Sequence, residues 1–338
     1  MVNRDNVAIV STTFYNDSEE GRLRKGLAEN FFRQCVEGEY QVFVVDGGTD
    51  DGDFLEELRK LGVSAFEETQ HGLGPSRREA LKHASNYFDE KFGRKMNVDD
   101  FIRKNIVAWS EPEKVDYVRL LPRLLEEFQS TEADILVPTR KSLDSYPTAQ
   151  QHSETFGNQR HTDHGYIDSS GKPLDTFFGP KIWNLRANPL FTAFENVDKV
   201  AQELAQMRIE ETEKVYGTLS DEQKEFEVEK ATKDLVRRDH MIQMPICLGV
   251  LSNGKSVSKL IGADDPFFGA VDLEYEVVSS SPVDYVHPQE QTAIEERNQA
   301  VWNAKRMAQL GWLEEQFSLV RRLHEKETLD EHLTSAVH

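Results

Sequence analysis

Two glutamates bracket a proline in WSEPEK (109–114), directly behind the apolar run NIVAW. Carboxylates this close repel, so Glu111 and Glu113 need a divalent cation, a neighbouring Lys or Arg, or solvation by water alone. Asp46 ends another apolar run, VFVVD, and leads into the turn Gly-Gly-Thr-Asp-Asp-Gly. A carboxylate there can accept hydrogen bonds from a base or ribose; equally, the turn is a plain strand–helix connection in which Thr49 or Asp50 caps the next helix. In HGLGPSRREAL (71–81) small residues permit close backbone approach. Arg77 lies in the first turn of a helix, where a guanidinium can reach a diphosphate or remain a surface charge. DTFFGPKIWNL (175–185) joins an acid to aromatics. Asp175 can orient a hydroxyl or act as a base, or the segment is an aromatic core strand. His287, in VDYVHPQEQ, is a candidate ligand or a structural histidine.

Three weaker signals complete the set. GVLSNGKS (249–256) satisfies G-x-x-x-x-G-K-S, with Lys255 in the phosphate position. The stretch behind it meets Gly and Asp-Asp-Pro too soon for a sustained helix, and Asn253-Gly254 reads instead as a hairpin turn. His161, Asp163 and His164 in RHTDHGY have the composition of a zinc site in a polar loop. Asp264-Asp265 is a further acidic pair.

These residues need elements to position them. VAIVST (7–12), YQVFVVDGG (40–48), VSAFEE (63–68), IVAW (106–109) and ADILVP (133–138) read as buried strands. Helical patterns lie between them at 22–32, 53–62, 75–88 and 115–128. Strands alternating with helices, and continuous apolar strand runs, predict a mostly parallel sheet covered on both faces. Residues 145–175 are polar and read as a long loop. Residues 196–240 predict a charged helical insertion, with Val197, Val200, Leu204 and Met207 on one stripe and a capping box at Ser220 and Gln223. Residues 242–287 read as strands and turns. From 288 to about 325 the chain reads as helical, with Val301, Ala304, Met307 and Leu310 on one face.

Composition bounds the function. The chain has 338 residues, 38% hydrophobic and 30% charged, enough for a large core without staples. A net charge of -20 argues against a nucleic acid or an anionic membrane as partner. The two cysteines, Cys35 and Cys247, suggest no disulfide framework and a reducing, cytoplasmic setting. No apolar stretch predicts a signal peptide or a transmembrane segment.

The succession VAIVSTTFYN, VVDGGTDDG and GLGPSRREAL resembles the nucleotide-binding half of GT-A fold glycosyltransferases, in the manner of family 2, over about residues 7–140. The resemblance implies an α/β fold of that Rossmann-like, nucleotide-diphospho-sugar transferase type. Residues 1–287 would form the catalytic domain, with 1–140 as the nucleotide half, 141–287 as the acceptor half and 288–338 as a C-terminal helical extension. It implies that Thr13, Tyr15, Asp46, Gly48 and Arg77 bind the nucleotide of a UDP- or GDP-sugar. Glu111-Pro112-Glu113 stands where such enzymes carry Asp-x-Asp, so Glu111, Glu113 and His287 would hold Mn²⁺ or Mg²⁺, with the imidazole favouring manganese. Asp175 would be the catalytic base toward an unknown acceptor. The expected activity is metal-dependent hexosyl transfer. The C-terminal helices are a candidate surface for homo-oligomer formation. A P-loop-like NTPase and a non-catalytic sugar- or protein-binding module on the same scaffold remain as alternatives.

Overall fold

The computed structural model of the chain describes residues 2–50, 52–93, 95–192, 197–238, 243–251 and 275–335. The strands are β1 (Val7–Thr13), β2 (Gln41–Asp46), β3 (Ser64–Glu67), β4 (Ile106–Trp109), β5 (Ile135–Val137), β6 (Lys181–Asn184) and β7 (Val277–Ser279). They form one sheet in the order β3-β2-β1-β4-β6-β5-β7. All neighbours run parallel except β6, which is antiparallel to both β4 and β5. The structure is therefore a mixed α/β fold with a mostly parallel, Rossmann-like sheet.

The continuous apolar runs have a simple cause. Alternate residues of each central strand enter different cores: Ala8, Val10, Val45 and Val107 on one side, Val7, Ile9, Val44 and Ile106 on the other. Both faces are covered, so no position along the strand needs to be polar.

The first helices are α1 (Glu19–Glu37), α2 (Phe54–Leu61), α3 (Leu73–Phe92), α4 (Val98–Lys104) and α5 (Asp116–Ser130). Ser18 caps α1 by accepting from the Gly21 N–H at 3.0 Å. Gly62 ends α2 in the left-handed region, φ 101°. After β5 come α6 (Thr148–Asp163), α7 (Asn188–Thr192), α8 (Val197–Tyr216), α9 (Asp221–Arg238) and α10 (Gln243–Leu251). The capping box forms as expected, with Ser220 N–H donating to Gln223 Oε1 at 2.9 Å and Gln223 N–H to Ser220 Oγ at 3.3 Å. The chain closes with α11 (Gln289–Arg297) and α12 (Gln299–Ser335).

Three expectations need correction. The polar stretch 145–175 is not a loop throughout, because α6 occupies its middle. The residues α6 buries are Glu154, Gly157 and His161, so its inner stripe carries no apolar periodicity to read. Residues 243–251 are helical rather than extended. On α12 Val301, Ala304 and Met307 of the expected stripe face outward, with Val301 71% and Met307 67% exposed, and only Leu310 packs, partly buried, against the core. The helix instead buries Arg306, Trp312, Leu313, Gln316, Phe317 and Val320.

Candidate active site

The order of strands reverses direction between β1 and β4, because the chain leaves β1 toward β2 and β3 and returns on its other side with β4. Backbone diverges there, and a crevice opens beyond the carboxyl ends of the two strands. A cleft of about 580 Å³ occupies that place, within the size range of small-molecule sites. Its walls come from the ends of the strands: Thr13 and Tyr15 after β1, Gly47 after β2, Glu68 after β3, and Glu111 to Lys114 after β4. Arg77 of α3 and Arg24 of α1 face it, and α6, α11 and α12 close the far side.

The opening pair of glutamates finds its positive charge within the chain. Glu113 is buried, and its Oε1 accepts from Arg24 Nε at 3.0 Å and Nη2 at 2.7 Å. Glu111 pairs with Lys114 Nζ at 3.3 Å and is half-exposed to the cleft. Desolvation works against its charge, but Lys114, with Lys181 and Lys305 beyond, holds its carboxyl below the usual range. A Cβ at Gly179 would overlap the Glu111 carboxylate, so the glycine makes the room that Glu111 fills.

His287 also lines the cleft, 2% exposed and stacked on Tyr146 with ring centroids 4.3 Å apart. Burial first, then Lys114, Arg140 and Arg306, lowers its pKa to about 3, so the imidazole is neutral. Glu111, Glu113 and His287 thus line one cleft without forming a metal centre. The Glu113 oxygen is held by a guanidinium, Glu111 is paired with the Lys114 ammonium, and His287 lies in the field of three cations, with Glu295 Oε1 4.0 Å from its Nε2. No group of three His, Cys, Asp or Glu among the described residues could hold a metal ion. This donor set does not fit a resident divalent ion.

The nucleotide candidates divide. Thr13, Tyr15 and Arg77 line the cleft, and Arg77 is almost wholly buried. Asp46 is turned into its own turn. Its Oδ1 accepts from Thr13 Oγ1 at 2.7 Å and Thr49 Oγ1 at 2.6 Å, and its Oδ2 from the N–H groups of Gly48 at 3.1 Å and Thr49 at 2.8 Å. Gly48 supplies the left-handed residue of that turn, φ 88°. Both lie behind the lining of the cleft, to which the turn contributes Gly47.

Asp175 lies behind the cleft wall as well. Arg140 grips it with Nε to Oδ2 at 2.8 Å and Nη2 to Oδ1 at 2.7 Å, and Asn158 Nδ2 donates to Oδ1 at 2.8 Å. Burial opposes its ionisation, but Arg140 wins and holds the carboxyl low. With its oxygens engaged away from the lining, Asp175 positions Arg140 and is not placed as a base. Arg140 in turn meets Glu154, Nη1 to Oε2 at 2.6 Å, and Glu154 does reach the cleft.

Several cleft residues escaped the sequence reading: Arg24, Lys114, Glu154, Gln291, Trp302, Lys305 and Arg306. Lys114 was legible as the residue beside Glu113. The others lie on helices whose arrangement no local pattern reveals.

The zinc reading of 160–166 fails on geometry. His161 is fully buried, its Nδ1 on the Gly157 carbonyl at 2.8 Å and its ring edge-on to Phe317, while His164 pairs with Glu314 at 3.1 Å. The P-loop-like segment begins inside α10, where that motif requires a strand. Its Lys255, and Asp264-Asp265, lie outside the described residues. Cys35 and Cys247 are buried free thiols. No described helix is long and apolar enough to cross a membrane.

No protein family and no curated protein matches the chain. Among solved structures it is similar to a glucosyl-3-phosphoglycerate synthase of M. tuberculosis, at 11% identity and a TM-score of 0.34. The match covers 54% of this chain and 58% of that one, so the chain spans little more than half of that structure.

Proposed function

We propose that the chain is a glycosyltransferase that moves a sugar from a nucleotide-diphosphate sugar to an acceptor hydroxyl. The observation that carries this reading is the cleft beyond the carboxyl ends of β1 and β4, where Thr13, Tyr15 and Arg77 meet Arg24, Lys114 and Lys305. The motifs that resemble GT-A glycosyltransferases lie on those strand ends, which supports the same reading.

In this scheme the nucleotide lies along Thr12 to Tyr15 and the start of α3. Its diphosphate faces Arg24, Lys114 and Lys305. The ammonium of Lys305 has its pKa lowered, first by desolvation and then by Arg24. Arg24 and Lys114 already hold Glu113 and Glu111, so a diphosphate among these cations would share them with the two carboxylates. As the bond from sugar to diphosphate breaks, negative charge grows on the leaving oxygen, and these fixed cations stabilise it. Asp175 is not placed to take the acceptor proton; the carboxylates that line the cleft are Glu68, Glu111, Glu113, Glu154 and Glu295, of which Glu113, Glu154 and Glu295 are held by Arg24, Arg140 and Arg306.

Calorimetric titration of UDP and GDP into wild type and Arg24→Ala, each with EDTA and with Mn²⁺, tests the reading. Nucleotide binding that weakens in the variant supports it. Binding that appears only with Mn²⁺ and is lost in Glu111→Ala would restore the glutamates as metal ligands. Absence of binding to either nucleotide would favour a non-catalytic module on this scaffold.

A further inference from the structure

The side of the same cleft away from the strand ends forms a compartment walled by α6, α11 and the first turns of α12. Gln150, Ser153, Glu154, His287, Gln291 and Arg306 line it. The charges in its walls are already matched. Arg306 Nη2 donates to Glu295 Oε2 at 2.7 Å and to Gln150 Oε1 at 2.7 Å. Arg140, behind the wall, is matched by Asp175 and Glu154, and Lys114 by Glu111.

Against this compensated background two side chains stand out. Neither ring nitrogen of His287 has a hydrogen-bond partner, although the residue is 2% exposed and Glu295 Oε1 stands 4.0 Å from Nε2, too far to bond, and Gln291 Oε1 is likewise buried and unpartnered. Buried polar atoms of folded proteins are nearly always satisfied, so a pair of such groups facing one compartment points to a ligand or water that completes them. The chemistry of the pair narrows the choice. A neutral imidazole offers one donor and one acceptor, and the Gln oxygen offers an acceptor. A carboxylate or a fully ionised phosphate ester, which only accepts, could use just the imidazole N–H. Hydroxyl groups, which donate and accept, can use all three.

We infer that this compartment is a subsite for an uncharged, hydroxyl-rich ligand, a sugar ring, with His287 and Gln291 as its specificity-determining contacts. The inference rests on the glycosyltransferase reading and adds which residues contact the sugar. The ring is that of the acceptor or that of the donor, since both present the same hydroxyl chemistry.

Saturation-transfer NMR with the methyl glycosides of glucose, mannose and galactose tests it, with inorganic phosphate as the anionic probe and UDP and GDP titrated in parallel. The expected result is a signal from at least one glycoside that falls about 10-fold or more in Gln291→Leu and in His287→Phe, with nucleotide affinity unchanged within about 2-fold. His287→Phe keeps the ring stacked on Tyr146 and Gln291→Leu keeps the side-chain volume, so unchanged melting temperatures separate lost contacts from lost folding. A glycoside that binds together with UDP-glucose or GDP-mannose assigns the ring to the acceptor. A glycoside displaced by them, with the nucleotide sugar's advantage over the bare nucleotide lost in Gln291→Leu, assigns it to the donor. Silence from all three glycosides together with no such advantage overturns the proposal, as does phosphate binding that Gln291→Leu abolishes. Glycoside binding without any nucleotide binding would leave the subsite standing and remove the transferase reading instead.

Discussion

Arg140 and Asp175 are joined by two parallel hydrogen bonds of 2.8 and 2.7 Å, and both side chains are almost fully buried behind the cleft. A fork of this kind fixes the guanidinium plane, which lies 4.8 Å from the Phe178 ring centre and presents its remaining edge to Glu154. Asp175→Ala therefore leaves a buried cation short of a partner, and should cost about 3–5 kcal/mol in urea denaturation. The carboxyl is held below its unfolded pKa, so its contribution is present above about pH 4 and is lost as pH falls through the folded value. Acid titration of stability should flatten in that window in the variant; an unaltered profile would contradict the pairing.

Lys181 is a second buried charge, with no exposed surface, its ammonium donating to the carbonyls of Phe178 and Pro180. Desolvation lowers its pKa to about 7. Between that value and the unfolded lysine pKa of about 10.4, the unfolded chain binds the proton and the folded chain does not. Stability from this group should therefore rise with pH across the window. Lys181→Met should abolish that rise and leave the protein equally stable or up to about 4 kcal/mol more stable at pH 6.5. Urea midpoints at pH 6.5 and 9.5 measure both.

Arg24 and Lys305 face the same cleft, and each should contribute to holding a diphosphate. Arg24→Ala and Lys305→Ala should each weaken UDP or GDP about 10-fold, and steepen less with added salt than wild type. Glu113→Gln, which releases Arg24 from its partner, should leave nucleotide affinity unchanged or raise it. A loss as large as that of Arg24→Ala would mean that Glu113 itself serves the ligand.

Gly179 and Glu111 share one volume. Gly179→Ala should cost no more than about 1 kcal/mol, because the atoms in its way are the free end of the half-exposed Glu111 side chain, which can swing away from Lys114. In a double-mutant cycle Glu111→Ala should recover most of that loss, because the two changes act on the same contact. Additive losses would show that the overlap is relieved elsewhere.

The strands were legible from residue type because both of their faces are buried, and the caps were legible for a different reason, that their contacts are local: Ser220 and Gln223 meet through a single helical turn. α6 was not, since its buried stripe of Glu154, Gly157 and His161 is polar. Nor was the outward turn of Val301 and Met307, because an apolar stripe states only which residues share a face, not which way that face points.

By itself the sequence determined the alternation of strands and helices, the apolar runs at the centre of the sheet, and the placing of WSEPEK just beyond a strand end. Those follow from interactions within a few residues. Only the tertiary structure decided what the charges there do. Arg24 reaches Glu113 across 89 positions of sequence, Arg140 meets Asp175 across 35, and the imidazole of His287 is brought into the field of Lys114 by the packing of α12 on α6 and of α11 on α1. A carboxylate becomes a ligand, a base or half of an ion pair according to its neighbours in space, and long-range packing alone selects those neighbours.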